Sequence, residues 1–126
     1  MKTPSASPRP EYRSRLGHSL NVDPGGPRVQ VTYRGEVIAD SRDALRLDEP
    51  LFPPVYYFPR QDVKMERLER SSHESFCPHK GYATYYSLKN GPENAVWSYE
   101  DPYDRMRPIE GRVAFYADKV DSILIG

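Results

Sequence analysis

Apolar positions along this chain recur mainly at every second residue, in short runs cut by turn residues. Residues 28–33 read Arg-Val-Gln-Val-Thr-Tyr, alternating and β-branched, and Arg34-Gly35 turns the chain into a second run at 36–40. That is the signature of a β-hairpin. Residues 44–47 predict another short strand, ended by Asp48-Glu49-Pro50. Pro53-Pro54 leads into an aromatic strand at 55–58, which Pro59 stops. Residues 60–65 suit one helical turn, and the periodicity of 64–70 fits helix and strand equally. Residues 83–88 predict a strand with Ala83, Tyr85 and Ser87 on one face, after which Lys89-Asn90-Gly91 turns the chain. The strand at 94–100 sets Ala95, Trp97 and Tyr99 on one face and Val96 on the other, until Pro102 breaks it. Residues 111–116 and 120–125 supply two last strands, or a strand and a turn. Short strands at turn-punctuated spacing predict a single all-β domain.

Composition sharpens this picture in two places. Thirteen prolines and ten tyrosines argue against a helical bundle. Pro4, Pro8, Pro10, Pro24 and Pro27 crowd the first 27 residues, which hold few large apolar groups. Such a segment buries too little surface to offset its ordering entropy, so residues 1–27 read as a flexible arm and residues 28–126 as the domain. The length suits one core. Eighteen basic and eighteen acidic residues balance, which gives no electrostatic case for nucleic acid or an anionic membrane as partner. The chain has no apolar run near the roughly 20 residues that a membrane-spanning helix needs. A single cysteine forms no intrachain disulfide, and together with the lack of a signal-peptide-like stretch it predicts a cytoplasmic setting.

Candidate chemistry gathers in two stretches. Cys77-Pro78-His79-Lys80-Gly81 holds the only cysteine, and Asn94-Ala95-Val96-Trp97-Ser98-Tyr99-Glu100-Asp101-Pro102 holds the only tryptophan. If they converge, they make an aromatic-walled pocket with an ionisable rim. Trp97 and Tyr99 with Tyr56 or Tyr57 would stack a flat or apolar ligand. Cys77, Lys80 and Glu100 are the catalytic candidates. A thiolate beside His79, His73 or Lys80 would be a nucleophile, and a carboxylate against aromatic walls would be raised toward a useful base. Lys80 would anchor an acidic ligand, and Arg60, after the aromatic strand, would clamp one. Each has a plain structural counterpart: a buried turn cysteine, a salt bridge at a strand end, a tyrosine-rich core. A zinc site would need about four ligands, usually in paired clusters, and this chain has no Cys-x-x-Cys, so neither a metal nor a cofactor is expected.

The motifs Gly35-Glu36-Val37-Ile38-Ala39-Asp40-Ser41, Pro54-Val55-Tyr56-Tyr57-Phe58-Pro59-Arg60-Gln61-Asp62-Val63, the two stretches above and Gly111-Arg112-Val113-Ala114-Phe115-Tyr116 occur here in one order. In them the chain resembles a small bacterial family, domain of unknown function 427, which is also labelled nucleotidyltransferase-like. The resemblance implies a β-tent domain similar to Mss4-like proteins: two antiparallel sheets with at most one or two short helices. The chain carries neither a Gly-Ser with paired aspartates nor a phosphate-cradling glycine loop to match the nucleotidyltransferase label. The leading expectation is a small-molecule-binding domain, its ligand a small organic or nucleotide-like compound. One alternative is a small enzyme using Cys77 as nucleophile or Glu100 as base. The other is a protein-interaction module without a small ligand. The sequence does not set an oligomeric state.

Overall fold

The computed structural model describes residues 19–21, 26–49 and 52–126. Among these residues it shows ten strands and four short 3-10 segments. The strands are β1 (Ser19–Asn21), β2 (Val29–Tyr33), β3 (Glu36–Ser41), β4 (Leu45–Asp48) and β5 (Val55–Tyr57), followed by β6 (Leu68–Cys77), β7 (Gly81–Leu88), β8 (Val96–Ser98), β9 (Val113–Phe115) and β10 (Ser122–Ile125). The 3-10 segments are Arg60–Asp62, Met65–Arg67, Asp104–Ile109 and Ala117–Lys119. The protein is a small all-β domain.

The strands form three antiparallel sheets, ordered β1-β4-β5, β10-β2-β3 and β6-β7-β8-β9. The two-sheet expectation is modified because two of these sheets meet edge to edge at a single point. Phe58, just past β5, exchanges both backbone hydrogen bonds with Val113 of β9, at 2.8 and 3.0 Å. The first and third sheets are therefore one bent layer, and the β10-β2-β3 sheet is the second.

Alternation decides what each layer buries. In β2, Val29 and Val31 are fully buried while Gln30 and Thr32 stay partly open. Arg34 and Gly35 both take positive φ, +50° and +78°, as a tight hairpin turn requires. One core lies between the layers and includes Val31, Ile38, Phe58, Leu88, Val96 and Phe115. A second lies on the opposite face of the bent layer, where Leu45, Leu47, Tyr57, Tyr85, Tyr99 and Ala114 pack with Met106 and Ile109.

Two expectations are revised, and the open one at 64–70 is settled. Residues 64–70 divide into a 3-10 turn and the start of β6, a ten-residue strand. Its polar run Ser71-Ser72-His73-Glu74-Ser75 hides it from pattern reading, because β6 is the outermost strand of its sheet and needs no apolar alternation. Ala95 follows the left-handed Asn94 (φ +54°) and packs in the first core, whereas Trp97 and Tyr99 join the second. Within the stretch read as an arm, Ser19–Asn21 pairs antiparallel with β4. The remainder of that arm, residues 1–18 and 22–25, lies outside the described residues. Among the described residues no helix is long and apolar enough to cross a membrane.

Candidate functional site

Strand periodicity brings much of the predicted site together. Tyr85 of β7, Trp97 of β8 and Ala114 of β9 are register partners, so their side chains share one face of the layer. Tyr57 reaches the same face from β5, paired with Leu45. Its phenol, 1% exposed, accepts a hydrogen bond from the Trp97 indole Nε1 at 3.3 Å, and the two rings meet edge to face at 6.3 Å. Tyr99 lies 6.4 Å from Tyr57, and Tyr116 packs against Trp97 with ring centres 4.5 Å apart and the planes tilted by 44°. The Tyr85 hydroxyl bonds Ser75 Oγ at 2.9 Å, and its ring carries His73 at 4.6 Å. Burial raises the phenol pKa of Tyr57 and of Tyr99, because the anion would leave water. Burial, aided by a hydrogen bond with Tyr85, pushes Tyr116 up to about 12.

Cys77 and Lys80 border this face through the turn between β6 and β7. Lys80 N donates to the Cys77 carbonyl at 3.2 Å, and Gly81 supplies the φ of +112° that brings the chain into β7. Tyr103 N donates to the Lys80 carbonyl at 3.1 Å, tying the turn to the loop after β8. The Lys80 ammonium is buried, 5.8 Å from the Tyr99 ring centre, and pairs with the Glu49 carboxylate at 3.4 Å. Cys77 is partly buried against the second core. Among the described residues its thiol has no hydrogen-bond partner, and no group of three or more His, Cys, Asp or Glu could hold a metal.

Glu100 and Arg60 stand apart from these residues. Glu100 accepts from Arg60 Nη2 at 2.8 Å and from the Tyr86 hydroxyl at 3.1 Å, and Tyr86 belongs to the core between the layers. Burial pushes the Glu100 carboxyl up, but the bonds from Arg60 and Tyr86 outweigh it and hold the carboxyl below its ordinary value. This is opposite to the direction that aromatic walls alone would give. Arg60 also donates to the Gly111 carbonyl at 2.6 Å and to Ser98 Oγ at 3.3 Å, and lies over the Tyr86 ring at 5.6 Å. Its donors are turned to the protein itself, as a clamp between the 3-10 turn after β5 and the ends of β8 and β9.

The open space lies beside the bridge between Phe58 and Val113. Beyond that bridge no further pairing joins β5 to β9, and a cleft of about 680 Å3 lined by residues of both occupies this fork. That volume is within the range of small-ligand sites. Trp97, Tyr116 and Val55 line it from one side of the layer, and Tyr56, Phe58, Phe115 and Ile123 from the other. Glu49, Phe52, Pro53, Pro54, Ala117 and Ile125 also line it. Of the predicted residues, Trp97 and Tyr56 line the cleft directly. Tyr57 acts one step back, by orienting the Trp97 indole, and Lys80 acts through Glu49. Glu49, Phe115, Tyr116 and Ile123 were not anticipated as wall residues. A second hollow, about 480 Å3, sits at the register shift of β6 and is lined mainly by polar groups such as Ser71, Ser72, Asn90 and Asn94.

The model of a family described as Domain of unknown function (DUF427) matches residues 21–126. That span runs from the last residue of β1 through β10 to the final residue. No curated protein matches the chain.

Proposed function

This chain belongs to the DUF427 family, and we propose that it is a binding domain for a small, flat, largely apolar organic molecule held in the fork between β5 and β9. The observation that carries the reading is the fork itself: an apolar cleft of about 680 Å3 whose wall contains Trp97 packed at a tilt against Tyr116. Large aromatic faces held in place by neighbours offer stacking area at little entropic cost. The Tyr57 hydroxyl fixes one face of the wall by accepting the indole N–H. Among the described lining residues Glu49 is the only Asp, Glu, Lys or Arg, and it is paired with Lys80, so these residues present no basic side chain to an anionic ligand. A nucleotide, with its phosphates, fits this lining less well than a bare ring system. The single cysteine and the family resemblance support a bacterial cytoplasm as the setting.

Trp97 is the only tryptophan, so its emission reports on the wall directly. Titration with naphthalene, followed by Trp97 fluorescence and thermal unfolding, tests the reading. A saturable change in emission with a raised Tm is expected, since a ligand at about 100 times its Kd adds about 2.7 kcal/mol. Unmoved emission and Tm across naphthalene and a panel of flat uncharged rings would overturn it.

A further inference from the structure

The sheet register fixes where the chain ahead of β1 meets the body. Ser19 pairs with Asp48, and Leu47 of that same strand pairs with Val55 of β5. The N-terminal end of β1 therefore lies at the same end of its sheet as Glu49, Phe52, Pro53, Pro54 and Val55, which line the cleft. In the order β1-β4-β5 the outer strands are two strand spacings apart, about 10 Å. Eighteen residues precede Ser19, and Pro4, Pro8 and Pro10 stand among the first ten of them. At about 3.1 Å per residue in polyproline II geometry, residues 11–18 alone span about 25 Å, so the proline-rich stretch reaches the cleft with length to spare.

We infer that residues 4–10 of the chain's own arm are a second occupant of the cleft, docking there in polyproline II form and competing with the small ligand. The competition rests on the binding reading above, and the docking does not. A polyproline helix is preformed, so it orders at little entropic cost, and its rings pack on flat aromatic faces. Trp97, Tyr56, Phe115 and Tyr116 supply such faces, with the Trp97 and Tyr116 planes tilted by 44° as the sides of a groove are. Phe52 and Ile125 of the lining are 69% and 53% exposed, apolar surface that a docked segment would cover. Charge agrees with this occupant. Residues 1–18 carry Lys2, Arg9, Arg13 and Arg15 against one acidic residue, Glu11, and the described lining holds no basic side chain to repel them. The segment is tethered beside the groove, so docking is intramolecular and weak contacts suffice.

The full chain, labelled with 13C and 15N, tests this beside the variant Pro4→Ser/Pro8→Ser/Pro10→Ser. In the parent, nuclear Overhauser contacts from the Pro8 or Pro10 ring to Trp97 or Tyr116 are expected, unchanged on dilution. In the variant the Trp97 indole N–H and the Tyr116 amide should move while the core amides of Val31 and Leu88 stay in place. Naphthalene should bind the variant about threefold tighter, as an arm docked in about two-thirds of the molecules requires. A peptide of residues 1–14 added to the variant should return the two fork signals to their parent positions along a saturable curve. Fork signals identical in parent and variant would overturn the inference, as would contacts that grow with concentration, which would put a second copy's arm in the cleft. Equal naphthalene binding to both proteins, without the contacts, would overturn it and leave the binding reading standing. Contacts present with naphthalene binding to neither protein would overturn the binding reading and leave the docked arm.

Discussion

Replacing Glu49 by glutamine removes a charge from the cleft rim and tests how the Lys80 ammonium is tolerated. Lys80 is 5% exposed, and Glu49 is the carboxylate within ion-pair distance of it among the described residues, at 3.4 Å. At that separation and an effective dielectric constant of about 20, Coulomb attraction amounts to about 5 kcal/mol. Much of this offsets the desolvation of the lysine, so the pair as a whole contributes little net stability. Losing one partner is different, because the remaining charge keeps its desolvation penalty. Glu49→Gln should therefore destabilise by about 3 kcal/mol, with Tm lower by on the order of 10 °C. Lys80→Met removes the buried charge and keeps a similar shape, and should change stability by less than about 1 kcal/mol in either direction. Urea unfolding at neutral pH, with m compared between variants, measures both. If Lys80→Met loses as much as Glu49→Gln, the desolvation argument is wrong and the pair is a net stabiliser. A Glu49→Gln protein as stable as the parent would refute the reasoning equally.

Other outcomes follow from the same geometry. The native Glu100 carboxyl is held below its unfolded value, so its stabilisation is present above about pH 4.5 and is lost as pH falls through the lowered native value. The difference in urea midpoint between the parent and Glu100→Gln should thus be largest near neutral pH and close below pH 4.5; a gap that widens on acidification would contradict the assignment. Gly81→Ala forces an L-residue into φ of +112° at the turn that carries Lys80, and should cost about 1–3 kcal/mol in the same assay. Trp97→Leu keeps an apolar wall but removes the stacking surface, and should weaken naphthalene binding by about tenfold. Arg60→Lys should leave that affinity unchanged, because the Arg60 donors are directed to Glu100, Gly111 and Ser98.

Local alternation made some parts of this protein readable. The β2–β3 hairpin was legible because buried valines alternate with polar residues and the Arg34-Gly35 pair suits a positive-φ turn. The sharing of one face by Trp97, Tyr99 and Tyr57 was partly legible too, since β8 alternates cleanly through Val96, Trp97 and Ser98. Of the two readings of Glu100, a base or a salt bridge at a strand end, the structure shows the salt bridge: Tyr99 packs in the second core, while Glu100 accepts from Arg60 and from Tyr86, a residue of the first. Adjacent Tyr56 and Tyr57 have different roles, one on the cleft wall and one behind Trp97, because neighbouring strand residues point to opposite faces. The fork was not legible at all. It arises beside the single bridge between Phe58 and Val113, a long-range contact with no local pattern. Glu49, Phe115 and Tyr116 therefore read as turn and strand-end residues until the two strands are seen side by side.

The central claim is that the space between β5 and β9 is a ligand site. Titration of the 15N-labelled protein with a set of flat, uncharged aromatic fragments, read by two-dimensional NMR, tests it most directly. The account predicts that binding fragments move the Trp97 indole N–H and the amides of Tyr56, Phe115, Tyr116 and Ile123 together, along one saturable curve. Fragments that bind only at the polar hollow of β6, or a set in which none moves the fork residues, would contradict it.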